Sequence, residues 1–204
     1  MHVLLLAPSR SASRAGRSDP VAELGEALAP LGLRRPLERT MGEEAIVVLD
    51  RAEQAVEAIC TTAELGGWCV GLGVGGVDTP LPAEVRALRG PAVDAARQAL
   101  RAARATAQVP LSVRAGDPRH AATAADAEAV LRLIGWMIAT RSTGQWRVVR
   151  ALRGNPQLTQ RDLAALLGIT QQTVSRSLKT SGWREESAAH PLLVRLLAMI
   201  DLTS

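Results

Sequence analysis

Short apolar runs alternate with amphipathic segments over residues 1–118 of the chain. Runs of β-type residues predict strands at 2–7, 33–40, 45–49, 68–77 and 109–115. Apolar residues at helical spacing predict helices at 21–29, 51–65 and 91–107. The resulting order, β-α-β-β-α-β-α-β, predicts an α/β layer in which helices cover a sheet.

From residue 121 onward the periodicity is helical only. The predicted helices lie at 124–140, 145–153, 159–167, 171–180 and 191–202. A turn at 116–119 separates the two patterns. We therefore predict two domains, an α/β domain at residues 1–118 and an all-α domain at residues 119–204.

The stretch 158–178, LTQRDLAALLGITQQTVSRSL, has the residue pattern of a helix-turn-helix. Thr159 and Thr170 occupy N-cap positions, and Gly168 permits a tight turn between the two helices. Ile169 fills the angle between them, and apolar residues four apart bury the second helix against the first. The alternative is a three-helix unit that serves protein contact.

The second helix of this motif exposes side chains of the types that read DNA bases. Glutamine pairs in bidentate fashion with adenine, and arginine pairs with guanine. The candidate base-reading residues are Gln171, Gln172, Ser175 and Arg176. The candidate phosphate-binding residues, which would fix the register on DNA, are Thr159, Gln160, Thr173 and Lys179.

No wing is expected after the motif. A β-wing needs two strands, whereas residues 181–189 are few and polar, and Pro191 then opens another apolar helix. That helix could pack on the motif or pair with a second copy of the chain. Because helix-turn-helix proteins commonly bind as dimers, we expect a homodimer.

Charge is distributed unevenly between the two parts of the chain. Residues 1–140 carry 15 Arg against 16 acids, whereas residues 141–204 carry 9 Lys plus Arg against 4 acids, so the net charges are −1 and +5. Between residues 141 and 184, eight basic residues accompany a single acid, Asp162. This excess favours an anionic partner, here double-stranded DNA, and a solvated helix face is the alternative.

Composition narrows the class of protein further. The chain has 204 residues, of which 47% are hydrophobic and 22% charged, so it can bury a core. Tyr and Phe are absent, which excludes the aromatic stacking platforms of single-stranded nucleic-acid binders. The start lacks a secretory signal, and no apolar run approaches the roughly 20 residues of a membrane helix. We expect a cytoplasmic protein without membrane contact.

Candidate catalytic and metal-binding groups are sparse. His2, His120 and His190 have no metal-ligand spacing, and no motif supports a nucleophile. Cys60 and Cys69 fit neither a redox pair nor a zinc knuckle. We therefore predict no catalytic residue, no cofactor and no metal.

A glycine-bearing strand is the candidate place for a ligand in the front domain. Gly71, Gly73 and Gly76 satisfy G-x-G-x-x-G, but the run alternates with apolar residues and no helix opens directly after it. It indicates a central strand whose glycine face lets a helix or a ligand approach the backbone. In the ligand case, Gly71 and Gly73 would line the site, with Arg89 or Arg97 available to a phosphate.

Several segments together resemble the bacterial SatD family over nearly the whole chain. They are the opening strand, TMGEEA at 40–45, VGLGVGGVDT at 70–79, RGPAVDAAR at 89–97 and the terminal helix-turn-helix. The front domain is in turn similar to the ferredoxin-like palm of nucleotidyl cyclases, and the terminal motif is similar to MarR-like regulators. The resemblance implies a palm-like α+β layer followed by the helix-turn-helix domain.

The chain departs from the palm at both of its metal-binding positions. In the palm an acid ends the first strand, and a Gly-Asp-Glu-Phe-type hairpin holds the second acid. Here Ala-Pro-Ser stands at 7–9, and the hairpin reads Gly-Glu-Glu-Ala at 42–45. Two-metal phosphoryl transfer then lacks converging carboxylates, so we predict that the protein is not an enzyme.

The leading hypothesis is a sequence-specific DNA-binding transcriptional regulator. Its α/β domain would dimerise or sense a small-molecule or nucleotide effector. Two alternatives stay open. One is a nucleotide-binding sensor or cyclase-like enzyme, and the other is a protein-interaction adaptor whose helix-turn-helix is structural.

Overall fold

The computed structural model describes residues 1–9, 19–33 and 35–202. Within them one sheet is formed by β1 (His2–Pro8), β2 (Glu38–Arg39), β3 (Ala45–Leu49), β4 (Trp68–Val74) and β5 (Leu111–Ala115). The strand predicted at 33–40 shrinks to β2, because Pro36 has no N–H to donate to a neighbouring strand. Residue 34 of that prediction lies outside the described residues.

Eight α-helices accompany the sheet in the described ranges. They are α1 (Pro20–Leu28), α2 (Ala52–Leu65), α3 (Pro91–Arg104), α4 (Ala121–Ala139), α5 (Thr143–Gly154), α6 (Gln160–Leu167), α7 (Gln171–Thr180) and α8 (Trp183–Asp201). Side-chain caps start several of them, as Asp19 does when it accepts a hydrogen bond from the Val21 N–H before α1. None of these helices is both long and apolar enough to cross a membrane.

The first six elements are connected as a split βαβ unit. The order β1-α1-β2-β3-α2-β4 places β1 between β3 and β4 and antiparallel to both. Helix α3 then crosses over and brings β5 beside β4 in parallel. The order of strands and helices predicted from the sequence is therefore confirmed over this part of the chain.

Two layers of helices enclose the sheet. Leu4, Leu72 and Val113 point to the face that α1, α2, α4 and α8 cover. Val3 and Val48 point to the opposite face, which α3 covers. Because successive strand side chains alternate between faces, a strand buried on both sides is expected to be apolar, as β1 is from its second residue, Val3, onward.

Helices α4 and α8 belong to the core of the sheet. Leu131 of α4 and Leu193 and Leu197 of α8 join the same buried cluster as the strands. Helices α5, α6 and α7 pack around a separate, smaller apolar cluster. The division predicted between residues 118 and 119 therefore runs through one continuous core. The separately packed unit is residues 143–180, carried between α4 and α8.

The last helix begins earlier than the sequence predicts. Its start was expected at Pro191, but α8 begins at Trp183, directly after Gly182, whose φ of 67° lies in the left-handed region. Pro191 lies inside α8, where it removes one backbone donor. Burial of Glu186 before the proline and of Leu193 after it holds both halves of the helix in place.

Two glycines allow α3 to lie directly against the backbone of β4. A Cβ atom on Gly71 would come within 2.3 Å of the Leu100 amide nitrogen, and one on Gly73 would come within 2.0 Å of the Ala92 carbonyl oxygen. Neither approach leaves room for a side chain. Of the two occupants that the sequence allowed for the glycine face, the helix is the one observed.

We expect Gly73→Ala to lower the free energy of unfolding by about 1–3 kcal/mol or more, because the added methyl group overlaps backbone atoms of α3. Gly25→Ala in α1 is the matched control. A Cβ there meets no atom within 4 Å, so that variant should be at least as stable as the native chain. Urea unfolding measures both variants, and equal midpoints would contradict the close approach of α3.

Candidate nucleic-acid interface

Side-chain caps and one glycine fix the two turns of the α5–α7 unit. Thr159 accepts a hydrogen bond from the Asp162 N–H before α6, and Thr170 accepts one from the Thr173 N–H before α7. Between them Gly168 has a φ of 63°, and its N–H bonds back to carbonyl groups of α6. The helix-turn-helix predicted from the sequence is present with these caps.

Helix α7 is held by one apolar face. Val174 and Leu178 are 0% and 6% exposed. They pack in the same cluster as Val148 of α5 and Leu163 of α6, and Ile169 is half-buried against it. This packing turns the opposite face of α7 to solvent.

The exposed side of α7 carries the predicted base-reading residues. We call this surface the α7 face, and it consists of Gln171, Gln172, Ser175, Arg176 and Lys179, all of them exposed. Positions separated by one, four, five and eight residues share one side of a helix, because the helix repeats every 3.6 residues. The fold therefore brings the four base-reading candidates to one surface, and their contact with bases stays a prediction.

The predicted phosphate-binding residues differ in what they already contact. The Thr159 hydroxyl donates to Asp162 at 2.6 Å, and this hydrogen bond lowers the pKa of Asp162 from its ordinary value. The Thr173 hydroxyl lies 2.9 Å from the N-cap hydroxyl of α7, and Gln160 is half-buried. Lys179 is exposed in the last turn of α7. Of the four, Lys179 has the side chain best placed for a phosphate.

Three of the eight basic residues between positions 141 and 184 form ion pairs within the molecule. Arg141, Arg150 and Arg153 pair with Glu64 and Glu186, which both lie outside that segment. The other five, Arg147, Arg161, Arg176, Lys179 and Arg184, are exposed, and of these Arg147 also donates to the Leu167 carbonyl oxygen at 2.5 Å. The charge available to an anionic partner is therefore smaller than the sequence count suggests.

A network of ion pairs around the buried Glu186 attaches the α5–α7 unit to the rest of the protein. Glu186 of α8 is fully buried and accepts hydrogen bonds from Arg141 and, at 2.7 Å, from Arg153. Arg153 also donates to Glu64 of α2 at 2.8 Å, and Arg150 donates to Glu64 at 2.6 Å. We call these five residues the Glu186 network. It joins both ends of α5 to α8 and α2.

Trp146 of α5 covers the Glu186 network. The guanidinium carbons of Arg141, Arg150 and Arg153 lie 4.8, 5.4 and 5.5 Å from the centroid of its ring. Trp183 of α8 lies 4.7 Å from Arg153 in the same manner. Two of the four tryptophans thus hold arginines in place.

The stretch of the chain that contains the α5–α7 unit is similar to a known family of proteins. Residues 140–180 match the MarR family. The match covers 41 of the 204 residues and contains the whole α5–α7 unit. No curated protein and no solved structure matches the chain. The MarR-like segment supports a DNA-binding transcriptional regulator.

The MarR-like segment continues into a helix and not into a wing. Over residues 35–202, β5 is the last strand, and α7 leads through Ser181 and Gly182 into α8. The prediction that no wing follows the motif is confirmed for these residues. The chain after the motif instead returns to the core of the sheet.

The predicted ligand-binding residues do not form a common site. Helix α3 covers Gly71 and Gly73, so no ligand can reach their backbone while α3 is in place. Arg89 donates to two backbone carbonyls before α3, and Arg97 pairs with an aspartate of its own helix at 2.9 Å.

An apolar cavity of about 240 Å³ lies between α2, α4 and the starts of β4 and β5. Its wall includes Ile59, Ala63, Trp68, Val109, Leu131 and Ile138. Ile138 belongs to the last turn of α4, three positions before Arg141 of the Glu186 network. The cavity therefore adjoins the segment that connects α4 to α5.

The hairpin that resembles the cyclase palm has its acids in other contacts. Glu44 accepts a hydrogen bond from Thr40 and pairs with Arg104 of α3 at 3.1 Å. Glu43 is exposed in the turn. Two-metal chemistry needs carboxylates that converge on the ions, whereas the carboxylate of Glu44 faces a guanidinium group.

Sequence reasoning missed a cluster in which Cys60, Glu186 and His190 meet. The Cys60 Sγ atom lies 3.7 Å from His190 Nε2, although the two residues are 130 positions apart. Glu186 and His190 are four residues apart, a spacing that puts both on one side of a helix. That spacing was the available signal, but it has meaning only once residues 183–190 are known to be helical.

We expect Glu186→Gln to lower the free energy of unfolding by about 3–5 kcal/mol, because Arg141, whose side chain is 1% exposed, would lose its carboxylate partner. Glu185→Gln is the matched control. Glu185 is exposed, so its replacement should change stability by no more than about 0.5 kcal/mol. Urea unfolding monitored by circular dichroism measures both, and similar midpoints would show that the network contributes little.

Proposed function

We propose that this protein is a sequence-specific DNA-binding transcriptional regulator that reads DNA with the α7 face. The observation that carries the proposal is the exposure of four base-reading side chains on one side of a helix whose other side is buried. The match of the same segment to the MarR family supports it.

In this proposal the first turns of α7 enter the major groove. Gln171 and Gln172 contact adenine edges, and Arg176 contacts O6 and N7 of a guanine. Lys179 contacts a phosphate from the last turn of α7 and fixes the register. The exposed arginines of the unit add affinity that does not depend on sequence and falls as salt concentration rises.

We further propose that two copies of the chain bind together. Helix α8, which on its sequence could either pack on the motif or pair with a second copy, buries Leu193, Leu197 and Ile200 within its own chain. Helix α4 instead leaves Leu133 and Trp136 exposed by 64% and 55%, three residues apart on one side. A dimer joined through these side chains would carry two α7 helices, and dimeric helix-turn-helix proteins bind half-sites about 34 Å apart.

The effector that suits the α/β layer is a small apolar molecule in the cavity between α2 and α4. A cavity of about 240 Å³ accepts a compound with a single ring, since cavities of roughly 150 Å³ bind benzene. The apolar wall favours such a compound over a nucleotide, whose phosphates need cations. Ile138 lines the cavity, and Arg141 follows three positions later. A ligand in the cavity would therefore contact the last turn of α4, which leads directly into α5.

We expect Arg176→Ala to lose about 1–3 kcal/mol of affinity at one base pair of the target, because a bidentate contact to guanine is removed. Lys179→Ala should weaken binding to all sequences evenly and reduce the salt slope by about one. Selection of genomic fragments on the full-length protein, followed by titration of the selected sequence and of random DNA, measures both effects. An inverted repeat in the selected motif would support the dimer.

The matched control for Arg176→Ala is Arg101→Ala, which removes an exposed arginine from α3, on the other side of the sheet from α4 and α8. It should bind DNA as the native chain does. Equal losses on specific and random DNA for Arg176→Ala would contradict base reading. If the native chain enriches no sequence and shows no salt-dependent affinity, the adaptor or the nucleotide sensor replaces the regulator.

Single-ring apolar compounds should raise the melting temperature of the full-length protein, because a ligand at 100 times its Kd adds about 2.7 kcal/mol to stability. Ala63→Leu, which fills the cavity wall, should abolish that shift, and Ala125→Leu on the exposed side of α4 should keep it. A thermal-shift screen with nucleotides, with and without Mg²⁺, runs beside it. Shifts with nucleotides alone would overturn the apolar effector.

A further inference from the structure

Three side chains that commonly bind metal ions meet where α2 packs against α8, away from the α7 face. The Cys60 Sγ atom lies 3.7 Å from His190 Nε2, and the same nitrogen lies 3.7 Å from Glu186 Oε1. The three ligand atoms all lie within 4.8 Å of one another. Thiolate, imidazole and carboxylate together form a ligand set typical of zinc.

We infer that Cys60, Glu186 and His190 form a binding site for a thiophilic divalent transition-metal ion such as Zn²⁺. Zinc binds sulfur at about 2.3 Å and nitrogen or oxygen at about 2.0–2.2 Å, so tetrahedral ligand atoms lie roughly 3.3–3.6 Å apart. The two separations of 3.7 Å need to contract by a few tenths of an ångström, and the separation between Cys60 and Glu186, which is within 4.8 Å, needs to contract by up to about 1 Å. The three ligands lie outside the α7 face, so the inferred site does not require the proposed DNA-binding function.

A groove beside α2 and α8 gives solvent access to two of the three side chains. Cys60 and His190 both line this groove, and the His190 side chain is 33% exposed to it. Glu57, one turn before Cys60 in α2, and Arg153 line the same groove, so one negative and one positive charge lie beside the site. Water or an exogenous ligand would complete a tetrahedron, as in zinc sites with three protein ligands.

The Cys60 thiol must lose its proton to bind a metal ion as a thiolate, and that proton passes to solvent as the metal–sulfur bond forms. The imidazole of His190 would bind through the lone pair of Nε2, the ring nitrogen nearest to Cys60 Sγ and Glu186 Oε1.

The two arginines that hold Glu186 set the selectivity of the site. Arg141 and Arg153 donate to the carboxylate and orient it, as outer hydrogen bonds do for metal ligands. Their positive charges repel a cation, so the carboxylate alone cannot hold one. Binding then depends on sulfur, which excludes hard ions such as Mg²⁺ and Ca²⁺.

Co²⁺ titration of the reduced, chelator-treated full-length protein tests the inference, because a cobalt–thiolate bond gives a charge-transfer band in the near ultraviolet. We expect one Co²⁺ per chain, visible bands of tetrahedral intensity, displacement by Zn²⁺ and no displacement by Mg²⁺. Cys60→Ala and His190→Ala should weaken Zn²⁺ binding more than about 10-fold in competition with a chelating dye. Cys60→Ala should also lose the thiolate band.

The matched control is Cys69→Ala, which removes the chain's other cysteine from the opposite face of the sheet and should keep the band. His190→Ala keeps the test sound if Cys60→Ala fails to fold, because the His190 side chain is partly exposed. Circular dichroism establishes folding of each variant. A native protein without a thiolate band, or a band that survives in folded Cys60→Ala, would overturn the site.

Discussion

The burial of one carboxylate constrains the arrangement of the helices around it. Glu186 is fully buried, and an unpaired carboxylate in that position would be strongly destabilising. Arg141 before α5 and Arg153 at its end both donate to it, so α5 is fixed at two points relative to α8. Through Glu64 the same network reaches α2. The direction in which the α7 face points therefore depends on the ion pairs of Glu186 with Arg141 and Arg153, none of which lies in α7.

The two faces of the sheet pack against different sets of helices. Gly71 and Gly73 admit α3 so closely that one face of the sheet is closed, and the other face is left to α1, α2, α4 and α8. Helices α4 and α8 pack on the sheet and flank the α5–α7 unit along the chain. The apolar cavity and the proposed metal site lie on the same side, and Cys60 lines both the cavity and the groove of the metal site.

The helix-turn-helix could be predicted from the sequence because all of its determinants are local. Thr159, Gly168 and Thr170 act within four residues of their own position, and α7 has the bounds that the sequence predicted. The strands could be predicted because a strand that is buried on both faces is visible in the sequence as a continuous run of apolar residues. The start of α8 could not be predicted, because a proline at position 191 favours a helix start, whereas burial on both sides of Pro191 lets the helix continue through it.

The sequence by itself determined the element order, the helix-turn-helix, the side of α7 that faces solvent and the excess of positive charge near it. Tertiary structure alone decided which of those charges are free, since Arg150 and Arg153 find Glu64 at a distance of 86 and 89 positions. It also decided that α4 and α8 join the sheet, that α3 closes the glycine face, and that Cys60 meets His190. The physical reason is that caps and periodicity act within a turn or two of helix. Ion pairs, close backbone approaches and ligand clusters instead depend on which distant parts of the chain the fold brings into contact.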